Sequence, residues 1–303
     1  MPAPSIGLAL IARDEEAALP HLLGSVAGAF DQVALLDTGS TDRTVEVFEE
    51  WAAGEQLPLG HRVGCFEWCD NFAAARNAAD ELLSTDWLAW ADCDDRIVGA
   101  MNLRLMAAKA PLTFAGIACS YVLGADEIGL RFKMHRPRLV RRGAGRWSGR
   151  VHERLDVDGR TANVPPSLCE WRHRRRLGPT DSRRNMAIAE RWAEEEADNP
   201  RALATLATEE MMRSEDEPAA LPRAVRILHR LHELPAVQAE LSPAELIAAS
   251  WAADGLLLGV APALGAAVGH PDLLFRLALA RPPWFWRDAG QAQDRPVEVA
   301  HVG

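Results

Sequence analysis

The feature that most restricts the fold of this chain is a set of short apolar runs that alternate with helix-like stretches through its first hundred residues. "SIGLALIA" (5–12), "QVALLD" (32–37) and "WLAWA" (87–91) read as strands, and a further strand is expected within 59–66. After the first run, Asp14 is placed to cap a helix from Glu15 to Ala29. After the second, "TGSTDRT" turns into an amphipathic helix carrying Val45, Val47, Phe48 and Trp51, and "NFAAARNAADELL" (71–83) reads as a further helix. Short strands alternating with helices imply an α/β domain built on a parallel, doubly wound sheet.

Ligands bind such sheets outside the carboxyl ends of the strands. Asp14, Asp37 and Asp92 each follow the end of a different expected strand, so three loops present carboxylates at one rim. The third loop is the most demanding, because Asp92, Asp94 and Asp95 stand together in "ADCDD". Like charges this close repel, and burying them unpaired is costly. Either the cluster is a solvated turn or a divalent cation neutralises it. Two carboxylates two residues apart at a strand end can grip one hydrated ion.

With 303 residues, 48% of them hydrophobic, the chain can build one large or two ordinary domains and is not expected to be disordered. From about Gly116 the pattern changes: "GIACSYVL", "RFKMHRPRLVRR" and "LCEWRHRRR" read as antiparallel or mixed strands around "RRGAGRWSGRVHERL". After Pro179 the chain becomes almost wholly helical. The expected organisation is therefore an α/β domain over 1–178 and an all-α domain over 179–303, with an extension after Pro282 packed by its tryptophans. No apolar leader opens the chain, and "GLLLGVAPALGAAVG" (255–269) is too short and too broken to span a bilayer. A soluble, cytoplasmic protein without a transmembrane segment is the expectation. The five cysteines show no paired zinc spacing and read as reduced thiols. Charge is uneven: residues 131–184 hold 16 Arg or Lys against 5 Asp or Glu, in a chain of net charge −10. Such asymmetry points to a charged partner.

"LALIARDEEAALPHLLGSV", "VALLDTGSTDRTVEVFEEWA", "FEWCDNFAAARNAA" and "DWLAWADCDD" occur in that order, and together they resemble the donor half of family-2 glycosyltransferases, inverting enzymes of the GT-A fold. The resemblance covers roughly residues 5–175. It implies a nucleotide-sugar donor, most commonly a UDP-sugar, and a divalent cation, Mn²⁺ or Mg²⁺. By position, Asp37 matches the residue that reads the donor base, with the 11–14 segment (Ala12 and Asp14 included) lining the same pocket. Arg76 matches a position near the nucleotide and its phosphates. Asp92 and Asp94 match the Asp-x-Asp motif, the first facing the ribose and the second ligating the metal, and His173 matches a histidine that returns to the site as a further ligand. This chain has Arg13 before "DEE" where many relatives have Asn before two glutamates, and Cys93 where a small residue is usual. The tail, with Asn199-Pro200 followed by Leu203, Leu206 and Ala207, resembles a degenerate tetratricopeptide-like repeat and leaves a homodimer through the helical domain open.

An acceptor hydroxyl needs a base. "GRVHERL" resembles a family segment in which His-Glu follows Gly-Arg, which makes Glu153 the candidate; its alternative is a surface glutamate paired with a neighbouring arginine. The basic segment around it either pairs in part with the acidic helical domain or holds an anionic acceptor along Arg146, Trp147, Arg150 and the run Arg174, Arg175 and Arg176. Arginines with an interposed aromatic suit phosphate contact and base stacking, so DNA with a hydroxymethylated base is the form favoured. Peptide and surface-polysaccharide acceptors are the rivals. A catalytically silent nucleotide-binding scaffold is the reading from another class, and a nucleotidyltransferase a third.

Overall fold

The structure is a computed structural model, described for residues 3–123, 132–173, 179–213, 217 and 219–235. The chain divides into two compact units, 1–177 and 178–303.

The first unit opens with β1 (Ile6–Ala12), α1 (Leu19–Val26), β2 (Gln32–Asp37), α2 (Thr44–Gly54), β3 (His61–Cys65), α3 (Phe72–Glu81) and β4 (Trp87–Asp92). β1 pairs in parallel with β2 and β4, and β2 with β3, so this half is the parallel sheet expected from the alternation. Burial of both faces explains why β1, β2 and β4 are continuous apolar runs rather than alternating ones, whereas β3, at the edge of the sheet, is only partly buried. Leu8, Leu10, Val33 and Leu35 pack with Leu19, Leu22 and Leu23 of α1 and Phe48 of α2. Ala9, Ala34 and Leu36 meet Ala75 and Ala79 of α3 on the other face. Small side chains there let α3 lie close to the sheet. Each fully buried leucine contributes about 1.5–3 kcal/mol.

The β1–α1 connection departs from expectation. α1 starts only at Leu19, with Ala18 at its N-cap and no side-chain cap. Asp14 has a φ of 54°, which takes it out of the helix. Its carboxylate accepts a hydrogen bond from the backbone N–H of Thr41 at 2.7 Å, tying the β1–α1 loop to the β2–α2 loop instead.

The remainder of the unit is β5 (Asp95–Val98), α4 (Asn102–Lys109), β6 (Phe114–Leu123), β7 (Phe132–Arg141), β8 (Gly145–Ser148), β9 (Arg154–Val157), β10 (Arg160–Asn163) and β11 (Glu170–His173). The main sheet runs β3-β2-β1-β4-β7-β6-β11-β5, with β10 beside β6, and β8 and β9 form a separate hairpin. β7 is antiparallel to both β4 and β6, so the sheet as a whole is mixed. The parallel half is thus extended by antiparallel strands, as the change of pattern from about Gly116 implies. β5 pairs antiparallel with β11, with Asp95 opposite His173 and Val98 opposite Glu170.

In the second unit the described helices are α5 (Pro179–Glu195), α6 (Pro200–Arg213) and α7 (Ala220–Glu233). Asn199 caps α6, its Oδ1 accepting from the N–H of Arg201 at 2.9 Å. Trp192, Ala193, Ala202, Leu203 and Leu234 form a small core against Leu206 and Ile227. The 255–269 tract and the extension after Pro282 lie outside the described residues. Among the described residues no helix is long and apolar enough to cross a membrane.

Gly99, which follows β5, has a φ of +78°, and a Cβ added there would lie 2.3 Å from the carbonyl oxygen of Leu168. Ala would need both a strained backbone and displacement of the segment before β11. Gly99→Ala is expected to destabilise the protein by about 2 kcal/mol, read as a lowered midpoint in urea unfolding; an unchanged midpoint would show that the β5–β11 pairing does not depend on this close approach.

Candidate active site

The acidic turn joins β4 to β5. β4 ends at Asp92, Cys93 and Asp94 form the corner, and Asp95 begins β5. Cys93 is buried, its thiol 3.4 Å from the carbonyl oxygen of Ile11, so the larger residue is accommodated by packing. Because β5 pairs with β11, His173 arrives opposite the turn. Its Nδ1 lies 3.1 Å from Asp95 Oδ1 and 3.5 Å from Asp94 Oδ1. One ligand atom from each of Asp92, Asp94, Asp95 and His173 lies within 4.8 Å of the others. Carboxylate oxygens with one imidazole suit Mn²⁺ or Mg²⁺, so the donor set fits such an ion.

Charge inside the cluster is balanced unequally. Arg76 Nη2 donates to Asp92 Oδ1 at 2.6 Å. Burial works against ionisation of Asp92, yet the charges of Arg76 and Arg138 hold its pKa down to about 2. Arg138 approaches Asp95 Oδ2 at 3.7 Å. Among the described residues no arginine pairs with Asp94. Burial pushes its pKa up to about 6, His173 opposing and Asp92 and Asp95 adding to the rise. For His173 burial disfavours the charged ring, but the hydrogen bond to Asp95 and the charges of Asp94, Asp95 and Asp92 raise its pKa. Among the described residues Asp94 is thus the carboxylate of the cluster without an arginine partner, with His173 beside it as a nitrogen donor.

Glu153 reaches the same place from the loop between β8 and β9. Its Oε1 accepts from Arg76 Nε at 2.5 Å, and its side chain is 12% exposed. It is therefore not a surface glutamate: one guanidinium joins it to Asp92. Helix α3 anchors this loop along one face. The Asn77 side chain bonds both the N–H and the carbonyl of Trp147, at 3.0 and 3.1 Å. Trp147 Nε1 donates to Asp80 Oδ2 at 3.1 Å, and the N–H of Phe72 donates to the carbonyl of Arg150 at 2.8 Å.

Trp147 itself is a correction. It is only 3% exposed, with its ring against the Arg76 guanidinium at 4.8 Å and edge-on to Trp90 at 4.7 Å. A ring so enclosed cannot stack on an acceptor base; it serves to hold Arg76. Arg76 likewise lies 6% exposed between two indoles and two carboxylates, rather than projecting into open solvent toward a phosphate. Arg146 is exposed and Arg150 half-buried, while Arg174, Arg175 and Arg176 lie outside the described residues. Asp37 closes its own turn, accepting from the N–H groups of Gly39 and Ser40. The Ala12 carbonyl accepts from Thr38, so Ala12, Asp14 and Asp37 stand together at the ends of β1 and β2. Sequence reasoning missed Asn77, Asp80 and Arg138. For Arg138 the available signal was its position between apolar residues in a β7 strand otherwise read as a basic run.

The family model for glycosyl transferase family 2 matches residues 8–163, half of the chain, and the chain belongs to that family. Curated relatives include a TPR repeat-containing protein of Synechococcus elongatus, 36% identical over 93 residues, covering 31% of this chain and 21% of that protein. Another is the glycosyltransferase SunS of Bacillus subtilis, 24% identical over 151 residues, covering 50% of this chain and 34% of SunS. The chain thus spans between about a fifth and a third of the length of these relatives. Among solved structures, S. aureus TarS 1-349 in complex with UDP-GlcNAc superposes with a TM-score of 0.52 at 16% identity, covering 95% of this chain and 92% of that one. This likeness shows the fold.

Asp80 offers a test of the α3 anchor. Burial lifts its pKa to about 7, with the Trp147 hydrogen bond and nearby arginines opposing. In the unfolded chain the same group titrates near 4. Between these values the native state binds more protons, so stability falls as pH rises from about 4 to 7. Asp80→Asn keeps the acceptor for Trp147 and removes that titration. Thermal unfolding followed from pH 5 to pH 8 is expected to show a smaller loss of Tm in the variant than in the parent; parallel curves would refute the assignment.

Proposed function

We propose that this chain transfers a sugar from a nucleoside diphosphate donor, in the first instance a UDP-sugar, to an acceptor hydroxyl with inversion at the anomeric carbon. The observation that carries the reading is the convergence of a family-2 chain's acidic turn, His173 and Glu153 at the carboxyl ends of the parallel strands. The UDP-GlcNAc bound by the TarS structure supports the choice of donor. Asp94 and His173 would hold a Mn²⁺ or Mg²⁺ ion, with Asp92 and Asp95 beside them. Such an ion, when bound, offsets the negative charge that grows on the diphosphate leaving group.

The chain's own residues supply the rest. Asp37, with Ala12 and Asp14 nearby, borders the space for the base and Asp92 faces the ribose. Arg76 orients Asp92 and Glu153 together, and its charge lies close to the departing diphosphate. Glu153 Oε2 carries no hydrogen bond among the described residues, which leaves it available to take the acceptor proton. As that proton moves, the acceptor oxygen bonds to the anomeric carbon and the bond to the diphosphate breaks on the opposite face. The acceptor is proposed to be anionic. With Trp147 enclosed, that reading rests on Arg146 and Arg150, and hydroxymethylated DNA stands beside peptides and glycans as acceptors to be tried with radiolabelled donor. The helical unit is proposed as a separate all-α domain over 179–303 that presents the chain to its partners.

Two substitutions test the assignment against a silent scaffold. Asp94→Asn is expected to lower turnover and hydrolysis of the donor at least a hundredfold and to abolish their response to Mn²⁺. Retained activity of this variant in a chelator would exclude the cation role. Glu153→Gln keeps the hydrogen bond from Arg76 while removing the proton acceptor, so transfer should fall by roughly two to four orders of magnitude with donor affinity near that of the parent. A parallel collapse of donor binding in calorimetry would make Glu153 structural.

A further inference from the structure

Beneath the acidic turn lies a buried cation to which no role has yet been given. Arg138 projects from β7 and is 0% exposed. Its guanidinium carbon sits 3.6 Å from the ring centroid of Trp90, 4.2 Å from that of Tyr121 and 5.4 Å from that of Trp171. Among the described residues none of its three nitrogens has a hydrogen-bond partner. The nearest carboxylate is Asp95, also 0% exposed, whose Oδ2 lies 3.7 Å away. Asp95 is itself fully engaged: Oδ2 accepts from the N–H of Asp92 at 3.1 Å and Oδ1 meets His173 at 3.1 Å.

This arrangement is expensive. A guanidinium keeps its proton, and burying it without hydrogen bonds costs more than its stacking on three aromatic rings returns. A Met or Leu would fill the same aromatic cage without that cost. The charge therefore has an electrostatic use, and among the described residues the negative charge nearest to it is the acidic turn. Arg76 already serves Asp92.

Building on the cation site proposed above, we propose that Arg138 is the fixed counter-charge of Asp95 and sets the cation affinity of the turn. With Asp92 and Asp95 each matched by an arginine, Asp94 and His173 are left to a single divalent ion. That ion is held only moderately by the protein alone, because a positive charge stands behind the cluster. Arg138 touches neither donor nor acceptor; it acts through Asp95.

The test is Mn²⁺ binding to the full chain, measured by the electron paramagnetic resonance signal of the free ion, without any sugar donor. Arg138→Gln is expected to bind Mn²⁺ at least tenfold more tightly than the parent, and Arg138→Lys, which keeps the charge, within about threefold of it. Unchanged or weaker binding by Arg138→Gln overturns the proposal. Should that variant not fold, the double variant Arg138→Gln/Asp95→Asn removes both charges together. Affinity within about threefold of the parent then supports the pairing, and a tenfold loss makes Asp95 a ligand and overturns it. Asp94→Asn separates the two layers of the reading. Parent binding that disappears in Asp94→Asn, with Arg138→Gln unchanged, overturns only the role of Arg138. Absence of Mn²⁺ binding in every variant overturns the cation site and this proposal with it.

Discussion

Repulsion among Asp92, Asp94 and Asp95 is the constraint on which the first unit depends. Three carboxylates at the end of one buried strand need opposite charge, and each source comes from a different part of the chain. Arg76 arrives on α3, Arg138 on β7 and His173 on β11. The strand order that brings β7 next to β4 and β5 next to β11 is thus also the order that makes the turn tolerable. A low-dielectric setting strengthens each pairing and makes each missing partner costly, so these elements hold one another in register.

The same economy of contacts links the donor and acceptor sides. Helix α3 presents Arg76, Asn77 and Asp80 along one face, and all three touch the 147–153 loop or its end group. Two of these bonds are to the backbone of Trp147, where an asparagine amide takes the place of a neighbouring strand. The indoles of Trp90 and Trp147 pack on Arg76 and leave its planar fork one orientation, toward Asp92 and Glu153. A side chain clamped in this way positions two carboxylates at little further entropic cost.

Much of this was legible in the chain. Apolar runs of five to eight residues separated by helical periodicity are a local property, and β1, β2, β4 and α3 fall close to where those patterns lie. Asp92 and Asp94 could be named because the acidic turn follows directly from a strand end. The limits of α1 could not, because Asp14 is drawn away by Thr41 across 27 positions, a contact that no local cap rule contains. β5, four residues long and partly charged, carries too little pattern to be seen; it exists because β11 pairs with it.

The sequence by itself determined the parallel half of the sheet, the acidic rim at its carboxyl ends, the family, and the concentration of positive charge in 131–184. Tertiary structure alone decided what that charge does. Within that segment Arg138 is buried beside Asp95 and Arg141 and Arg142 donate to backbone carbonyls, while Trp147 faces inward onto Arg76 instead of outward to an acceptor. The physical reason is that local pattern reports whether a segment is buried, whereas pairing of charges depends on which distant segments the sheet order makes neighbours. Burial also changes the meaning of a residue type: the same arginine that would be a phosphate contact in solvent becomes, beneath three aromatic rings, a counter-charge to the protein's own aspartates.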